Sequence, residues 1–350
     1  MRHFSVPEYG RISRGELPER VLRRLQHFDE KMSLIFFDQL GLPEPDLNLG
    51  VGSGSHAAQT AALMVALERA FEKIQPDRVV IYGDVNSTLA AAIVASKLEI
   101  AVAHVEAGLR SFDRGMPEEV NRVVSDALAS LHFVTSEDAI GHLLREGVNS
   151  SGIHFVGNPM IDTLLRFRSQ LQKSPSEAFG LSEPYGLVTL HRPSNVDNKE
   201  VAAELVSGLV QVSEFLPLVV PLHPRGRETL SALGLKATEQ LVITEPLGYM
   251  EFMSLLARAS VVLTDSGGVQ EETTVLGVPC LTLRDNTERP ITIEMGTNRL
   301  VARRGHAIVE ATLEAMESPP KGSVPPLWDG DAGGRIARIL LSTPVGGTDV

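Results

Sequence analysis

Cysteine is almost absent: Cys280 stands alone in 350 residues, so no internal disulfide can form and the chain must be held by its cores. No apolar run approaches the ~18 residues that a membrane-spanning helix needs. The opening Met1-Arg2-His3-Phe4-Ser5-Val6-Pro7 has no apolar core of secretory-signal length, which with the lone cysteine makes the cytoplasm the expected location. An excess of positive charge is also missing. With 44 acidic against 32 basic residues and a net charge of −12, the composition speaks against a nucleic-acid partner, because binders of polyanions present a basic face. It does not speak against small anions, since screening confines surface charge to a reach of ~8 Å and a few arginines and backbone N–H groups hold a pyrophosphate locally. Repeats and low-complexity tracts are absent as well.

What is present is a globular composition, 43% apolar and 22% charged, in a chain long enough for two cores. Short apolar runs alternate with helical stretches, the pattern of parallel α/β sheets. Strands are expected at Arg78–Tyr82, Ile100–Val105, Leu131–Val134, Ile153–Val156, Gly186–Leu190, Pro217–Leu222, Leu241–Thr244, Val261–Thr264 and Pro279–Leu283. Helices are expected at Leu89–Leu98, Ala139–Glu146, Glu200–Phe215, Met250–Ala257 and Val269–Leu276. Pro175, Gly180 and their polar neighbours interrupt the pattern between Gln172 and Pro184, which divides the chain into domains 1–172 and 173–327. A last helix, roughly Ala332–Leu341 within 328–350, is expected to return to the first domain.

In open parallel sheets ligands bind outside the carboxyl ends of the strands, so the residues that follow each apolar run carry the functional information. Gly83-Asp84, Glu106, His191-Arg192, His223 and Asp265-Ser266-Gly267-Gly268 all occupy such places. Any one of them reads equally as a helix cap or a satisfied polar group. Five together point to a shared site, because clustered carboxylates and imidazoles cost stability unless something uses them. The Ser266-Gly267-Gly268 turn suits a phosphate at a helix N-terminus, and Glu272, placed on that helix's first turn, suits two ribose hydroxyls. The loop Arg284–Pro290 adds charged donors near the same edge.

Six ordered motifs carry a family resemblance: Gly50-Val51-Gly52-Ser53-Gly54-Ser55-His56, Gly83-Asp84, His104-Val105-Glu106-Ala107-Gly108-Leu109-Arg110, Met116-Pro117-Glu118-Glu119-Val120-Asn121-Arg122, Thr264–Glu272 and Thr287-Glu288-Arg289-Pro290. In these the chain resembles the non-hydrolysing UDP-N-acetylglucosamine 2-epimerases from about Leu25 to the last helix. The resemblance implies two Rossmann-like domains facing a central cleft, as in GT-B glycosyltransferases, a homodimer, and neither metal nor cofactor. It implies interconversion of UDP-N-acetylglucosamine and UDP-N-acetylmannosamine by anti elimination of UDP to 2-acetamidoglucal and re-addition. The catalytic set it assigns is Asp84, Glu106, Glu118 and His191. The set it assigns to UDP and substrate is Arg122, His223, Phe252, Ser266, Gly267, Gly268 and Glu272. Gln26, Gln59 and Arg192 match positions linked in the family with a second UDP-N-acetylglucosamine that acts as activator, or are ordinary polar surface.

The chain departs from the family pattern in three places. Residues 1–24 show no apolar first strand and no Gly-x-Arg-Pro loop, so the first domain is expected to lack both. Ser194 and Ile291 each stand where the family has a glutamate. These changes keep open a hydrolysing relative or other UDP-sugar enzyme, a natural-product pathway, and a UDP-sugar-binding protein of weak activity.

Overall fold

The β-rich half of the architecture follows from short runs buried on both faces, as parallel strands between two helical layers must be. In the computed structural model Arg78–Tyr82 is buried at all five positions, and Leu131–Val134 and Val261–Thr264 at all four. The structure describes residues 3–6, 19–23, 46–52, 54–172, 175–181, 183–222 and 224–344. By contacts the chain divides into two units, Met1–Arg166 with Pro326–Val350, and Phe167–Pro325.

The first unit contains β1 (His3–Val6), β2 (Glu19–Arg23), β3 (Leu47–Asn48), β4 (Arg78–Tyr82), β5 (Ala101–Val105), β6 (Leu131–Val134) and β7 (Ile153–Phe155), in the sheet order β3-β2-β1-β4-β5-β6-β7. All pairings in it are parallel. The expectation of a missing first strand is corrected here. His3–Val6 fills that place, with His3 opposite Arg78 and Val6 opposite Ile81 on one side and β2 on the other. Four residues that include a histidine and a serine are too short and too polar to register as an apolar run. The absent Gly-x-Arg-Pro motif concerns residues outside those described.

Helices of this unit are α1 (His56–Ile74), α2 (Asn86–Lys97), α3 (Pro117–Leu128), α4 (Glu137–Arg145), α5 (Pro159–Phe167) and, from the chain's end, α13 (Ala332–Ser342). The pleat of β4 sorts its side chains to two layers. Val79 and Ile81 pack with α1 and α2, while Val80 and Tyr82 pack with Ile336, Ala337 and Leu340 of α13. Arg78, 2% exposed, donates to the carbonyls of Leu340, Thr343 and Pro344 at 3.3, 3.4 and 3.1 Å, occupying acceptors that a helix end leaves open.

The second unit contains β8 (Gly186–Thr189), β9 (Leu218–Pro221), β10 (Leu241–Thr244), β11 (Val261–Thr264), β12 (Cys280–Thr282) and β13 (Asn298–Leu300), ordered β10-β9-β8-β11-β12-β13. Its helices are α6 (Pro193–Val196), α7 (Lys199–Ser213), α8 (Pro224–Ala232), α9 (Tyr249–Leu256), α10 (Gly267–Leu276), α11 (Ile291–Glu294) and α12 (Gly305–Glu317). Both sheets are Rossmann-like. Each reverses direction of strand addition once, between β1 and β4 and between β8 and β11, and at such switch points the two flanking loops part to admit a ligand. Among the described residues no helix is long and apolar enough to cross a membrane.

Candidate functional site

In the first unit the switch strand β4 ends in Gly83, whose φ of 62° turns the chain sharply enough to present Asp84. The Asp84 carboxylate accepts from Nε of Arg122 at 2.8 Å, and its carbonyl accepts from the Asn121 amide at 2.7 Å. Both partners lie on α3, which starts with Pro117 and carries Glu118 and Glu119 in its first turn, where acidic side chains meet the positive end of the helix dipole. The two glutamates differ in use. Glu119 is 2% exposed and accepts from Ser111 N (2.8 Å), Ser111 Oγ (2.9 Å), Phe112 N (2.9 Å) and the Arg122 guanidinium. It holds the 111–112 loop. Glu118 is half-buried.

Glu106 follows β5 with φ of 65°, a conformation that a side chain with a Cβ adopts only when its surroundings impose it. The neighbouring N–H groups are tied down, Ala107 to Phe133 O at 3.2 Å and Gly108 to Asp126 Oδ2 at 3.0 Å. Gln59 of the proposed activator set is joined to this region. Its Oε1 accepts from Asn86 at 2.8 Å, and Asn121 reaches Asn86 Oδ1 at 3.3 Å. Gln26 lies outside the described residues.

In the second unit the switch point gathers His191, Arg192 and Asp265. Asp265, fully buried, accepts from His191 N at 3.1 Å, Arg192 N at 3.0 Å, Asn195 Nδ2 at 3.0 Å and His191 Nδ1 at 2.8 Å. Burial opposes its charge, but the hydrogen bond and charge of His191 outweigh that and hold its pKa below the usual carboxylate range. The carboxylate therefore fixes the ring, with Nδ1–H inward and Nε2 free to act. His191 is 56% exposed on its side chain. Asp265 is among the strand-end residues that point from sequence to a shared site, but the resemblance assigns it no role; its hydrogen bond to His191 supplies one.

The glycine turn has a reason beyond phosphate approach. A Cβ on Gly267 would stand 2.4 Å from Arg289 Nη1 and 2.8 Å from Glu288 Oε1, so this position keeps the Arg289 guanidinium against the start of α10. Arg289 pairs with Glu271 at 3.0 Å and Glu288 at 2.6 Å. Glu288 also accepts from Arg284 at 2.7 Å, and Arg192 Nη2 reaches it at 3.4 Å. Gly267→Ala should therefore displace Arg289 and lower stability by about 1–3 kcal/mol in urea unfolding; an unchanged midpoint would show that the guanidinium moves away freely.

Glu272 lies in the second turn of α10, not the first, because the helix begins at Gly267 rather than Val269. It is 6% exposed. Burial, with the charge of Glu271, pushes its pKa up to about 8. Between pH 4.5, its ordinary value, and about 8 the folded protein thus holds a proton that the unfolded chain has lost. Stability contributed by this group falls as pH rises through that window. Glu272→Gln has no such slope. Its unfolding free energy should gain on the parent by up to about 1.4 kcal/mol per pH unit across the window, and parallel pH profiles would refute the buried-acid reading. Phe252 on α9 and Ser266 and Gly268 at the start of α10 are partly exposed, and His223 lies outside the described residues.

Known proteins place this geometry in a family. The family model for UDP-N-acetylglucosamine 2-epimerase matches residues 12–341. A UDP-N-acetylglucosamine 2-epimerase of Methanocaldococcus jannaschii is 44% identical over 340 residues, 94% of this chain and 93% of the relative. A UDP-2,3-diacetamido-2,3-dideoxy-D-glucuronate 2-epimerase of Pseudomonas aeruginosa is 40% identical over 341 residues, 96% and 95% of the two chains. The crystal structure of the M. jannaschii enzyme in complex with UDP-GlcNAc and UDP superposes with a TM-score of 0.90 at 40% identity, covering 98% of this chain and 99% of that one. With matches that run nearly end to end, this chain belongs to the UDP-N-acetylglucosamine 2-epimerase family.

Proposed function

We propose that the protein interconverts UDP-N-acetylglucosamine and UDP-N-acetylmannosamine without hydrolysis, by anti elimination of UDP to 2-acetamidoglucal followed by re-addition. The observation that carries the reading is the gathering of Asp84, Glu106 and Glu118 around one carboxyl sheet edge, in a chain 44% identical to a UDP-N-acetylglucosamine 2-epimerase. The C2 hydrogen is poorly acidic because no carbonyl adjoins it, so its removal must be coupled to loss of UDP from C1. Acidic groups serve both needs, one stabilising the oxocarbenium-like C1 and another taking or returning the C2 proton. His191, oriented by Asp265, and the donors at the start of α10 serve the leaving diphosphate. Glu272 awaits the ribose hydroxyls.

On this reading UDP departs with the C1–O electron pair as the C2–H bond breaks, and the glucal regains a proton on the opposite face as UDP returns. In heavy water the product must carry one deuterium at C2, seen by mass spectrometry and proton NMR. Epimerisation with the original hydrogen retained would contradict elimination, and release of free sugar with UDP would indicate the hydrolysing alternative. The Pseudomonas relative supports a second reading, a UDP-2,3-diacetamido-2,3-dideoxy-D-glucuronate substrate; kcat/KM measured on both nucleotide sugars separates the two. The resemblance further supports a homodimer and a second UDP-N-acetylglucosamine as activator, with Gln26, Gln59 and Arg192 the residues it links to that ligand, and the lone cysteine supports a cytoplasmic location; within the first unit the Gln59–Asn86–Asn121 chain adjoins the Asp84 carbonyl.

A further inference from the structure

A buried ionic cluster lies behind the acidic edge of the first unit, and the reaction as described makes no use of it. His104, on β5, is 0% exposed. Its Nδ1 lies 2.6 Å from Asp126 Oδ1, and its Nε2 lies 2.8 Å from the Gly83 carbonyl. Asp126 Oδ2 accepts from Gly108 N at 3.0 Å and from Arg110 at 2.7 Å. Arg110 continues to Glu146 with two bonds of 2.9 and 2.6 Å. One carboxylate thus ties together β5, α3 and the loop that carries Glu106.

The ring's partners decide its state. A carbonyl oxygen only accepts, and a carboxylate whose other oxygen takes two N–H donors accepts as well, so both ring nitrogens must donate. A neutral imidazole has one N–H and leaves a lone pair facing an acceptor in a dry interior. We infer that His104 is a buried imidazolium and the positioning residue for two carboxylates, holding the Gly83–Asp84 turn directly and the Glu106–Gly108 turn through Asp126. The surrounding charges agree. Burial alone would favour the neutral ring, but Asp126, the Gly83 carbonyl and Glu106 together raise the His104 pKa. Burial likewise opposes the Asp126 charge, yet His104 and Arg110 hold that carboxyl down at about 2. His132 on β6 faces the same pair and differs as the rule requires. Its Nε2 meets the Asp126 carbonyl at 2.8 Å, no side-chain carboxylate bonds the ring, and burial outweighs Asp126 and the Gly152 backbone and lowers its pKa.

The consequence for turnover rests on the epimerase reading, whereas the ionisation does not, and the test keeps them apart. Ala103–His104 is the only Ala-His step in the sequence, so carbonyl-13C alanine with 15N histidine labelling assigns His104 in the unmodified protein. Both ring nitrogens should show the protonated signature from pH 6 to beyond 8. A neutral pattern at pH 7.5, or an ordinary titration near ~6.5, overturns the inference whatever the activity. Asp126→Asn removes the charge that keeps the ring protonated. Its kcat should fall roughly tenfold or more between pH 6 and 8, over which the parent shows no such loss, while the Kd for UDP stays level. A uniform loss at all pH values with the parent's profile would reduce Asp126 to a structural part and overturn the positioning role. Should that variant not fold, the labelled parent alone decides, and a parent without epimerase turnover counts against the proposed function and not against the imidazolium.

Discussion

Asp265→Asn should lower turnover by a factor on the order of 1,000 while the protein still folds and binds UDP within a few fold. The substitution is nearly isosteric, so its effect isolates charge and hydrogen-bond polarity. Asp265 accepts from His191 N, Arg192 N, Asn195 Nδ2 and His191 Nδ1. An asparagine has one accepting oxygen and a donating NH2 group. If the oxygen serves the backbone, the NH2 faces Nδ1 and forces the imidazole to accept there, which moves the ring proton to Nε2. The outer nitrogen then changes from acceptor to donor, and no cation forms readily beside an amide. Some stability should go too, about 2–4 kcal/mol, because buried donors lose a charged acceptor. Measuring kcat by product analysis, Kd by calorimetry and unfolding in urea separates the effects. A rate within about tenfold of the parent would mean that the orientation of His191 is irrelevant and would remove it from the proposed set.

The contrast between what the sequence disclosed and what it hid has one physical origin. Strands such as Val261–Thr264 and Leu218–Pro221 are covered on both faces, so they read as uninterrupted apolar runs whatever surrounds them. Helix α3 misleads the same reading because its inward face is polar. Glu119, Asn121, Arg122, Ser125 and Asp126 are its buried residues, whereas Val120, Val123, Val124 and Leu128, which recur at helical spacing, are exposed or half-buried, so the apolar period marks the wrong face. The motif resemblance drew attention to Glu118 and Arg122 on that helix but not to Glu119 and Asp126, which have the denser hydrogen bonding. Pairing across sequence distance was hidden for the same reason. Glu288 and Arg289 are legible as charged loop residues within a family motif, but their packing against Gly267 is not. The first strand failed differently: β1 owes its place to pairing with β4 on one side and β2 on the other, not to an apolar signature of its own.

The acidic edge itself is tested by Asp84→Asn and Glu118→Gln, each expected to reduce kcat by about 100-fold or more if it takes part in proton transfer or in stabilising C1. The two differ in what else they disturb. Asp84 is paired with Arg122, whose side chain is 1% exposed and whose Nη2 has no partner. Removing the charge leaves a buried guanidinium with Glu119 as its remaining ionic contact, so Asp84→Asn should also cost about 1–3 kcal/mol of stability. Glu118 is half-buried in the first turn of α3, where neutralisation costs mainly the helix-dipole interaction, about 0.3–1 kcal/mol. A fall in rate without a comparable fall in stability is therefore sharper evidence from Glu118. Glu119→Gln is the control, since it loosens the Ser111–Phe112 loop and the Arg122 pair without removing a carboxylate from the proposed reaction. Affinity for UDP should be unchanged in Glu118→Gln, because apart from Arg122, which pairs with Asp84 and Glu119, the groups proposed to hold the nucleotide belong to the second unit. A loss confined to kcat at constant UDP affinity means that the missing interaction arises on the way to the transition state rather than in the bound nucleotide. Near-parental kcat in both Asp84→Asn and Glu118→Gln would remove the two from the proposed catalytic set and leave Glu106 as its carboxylate.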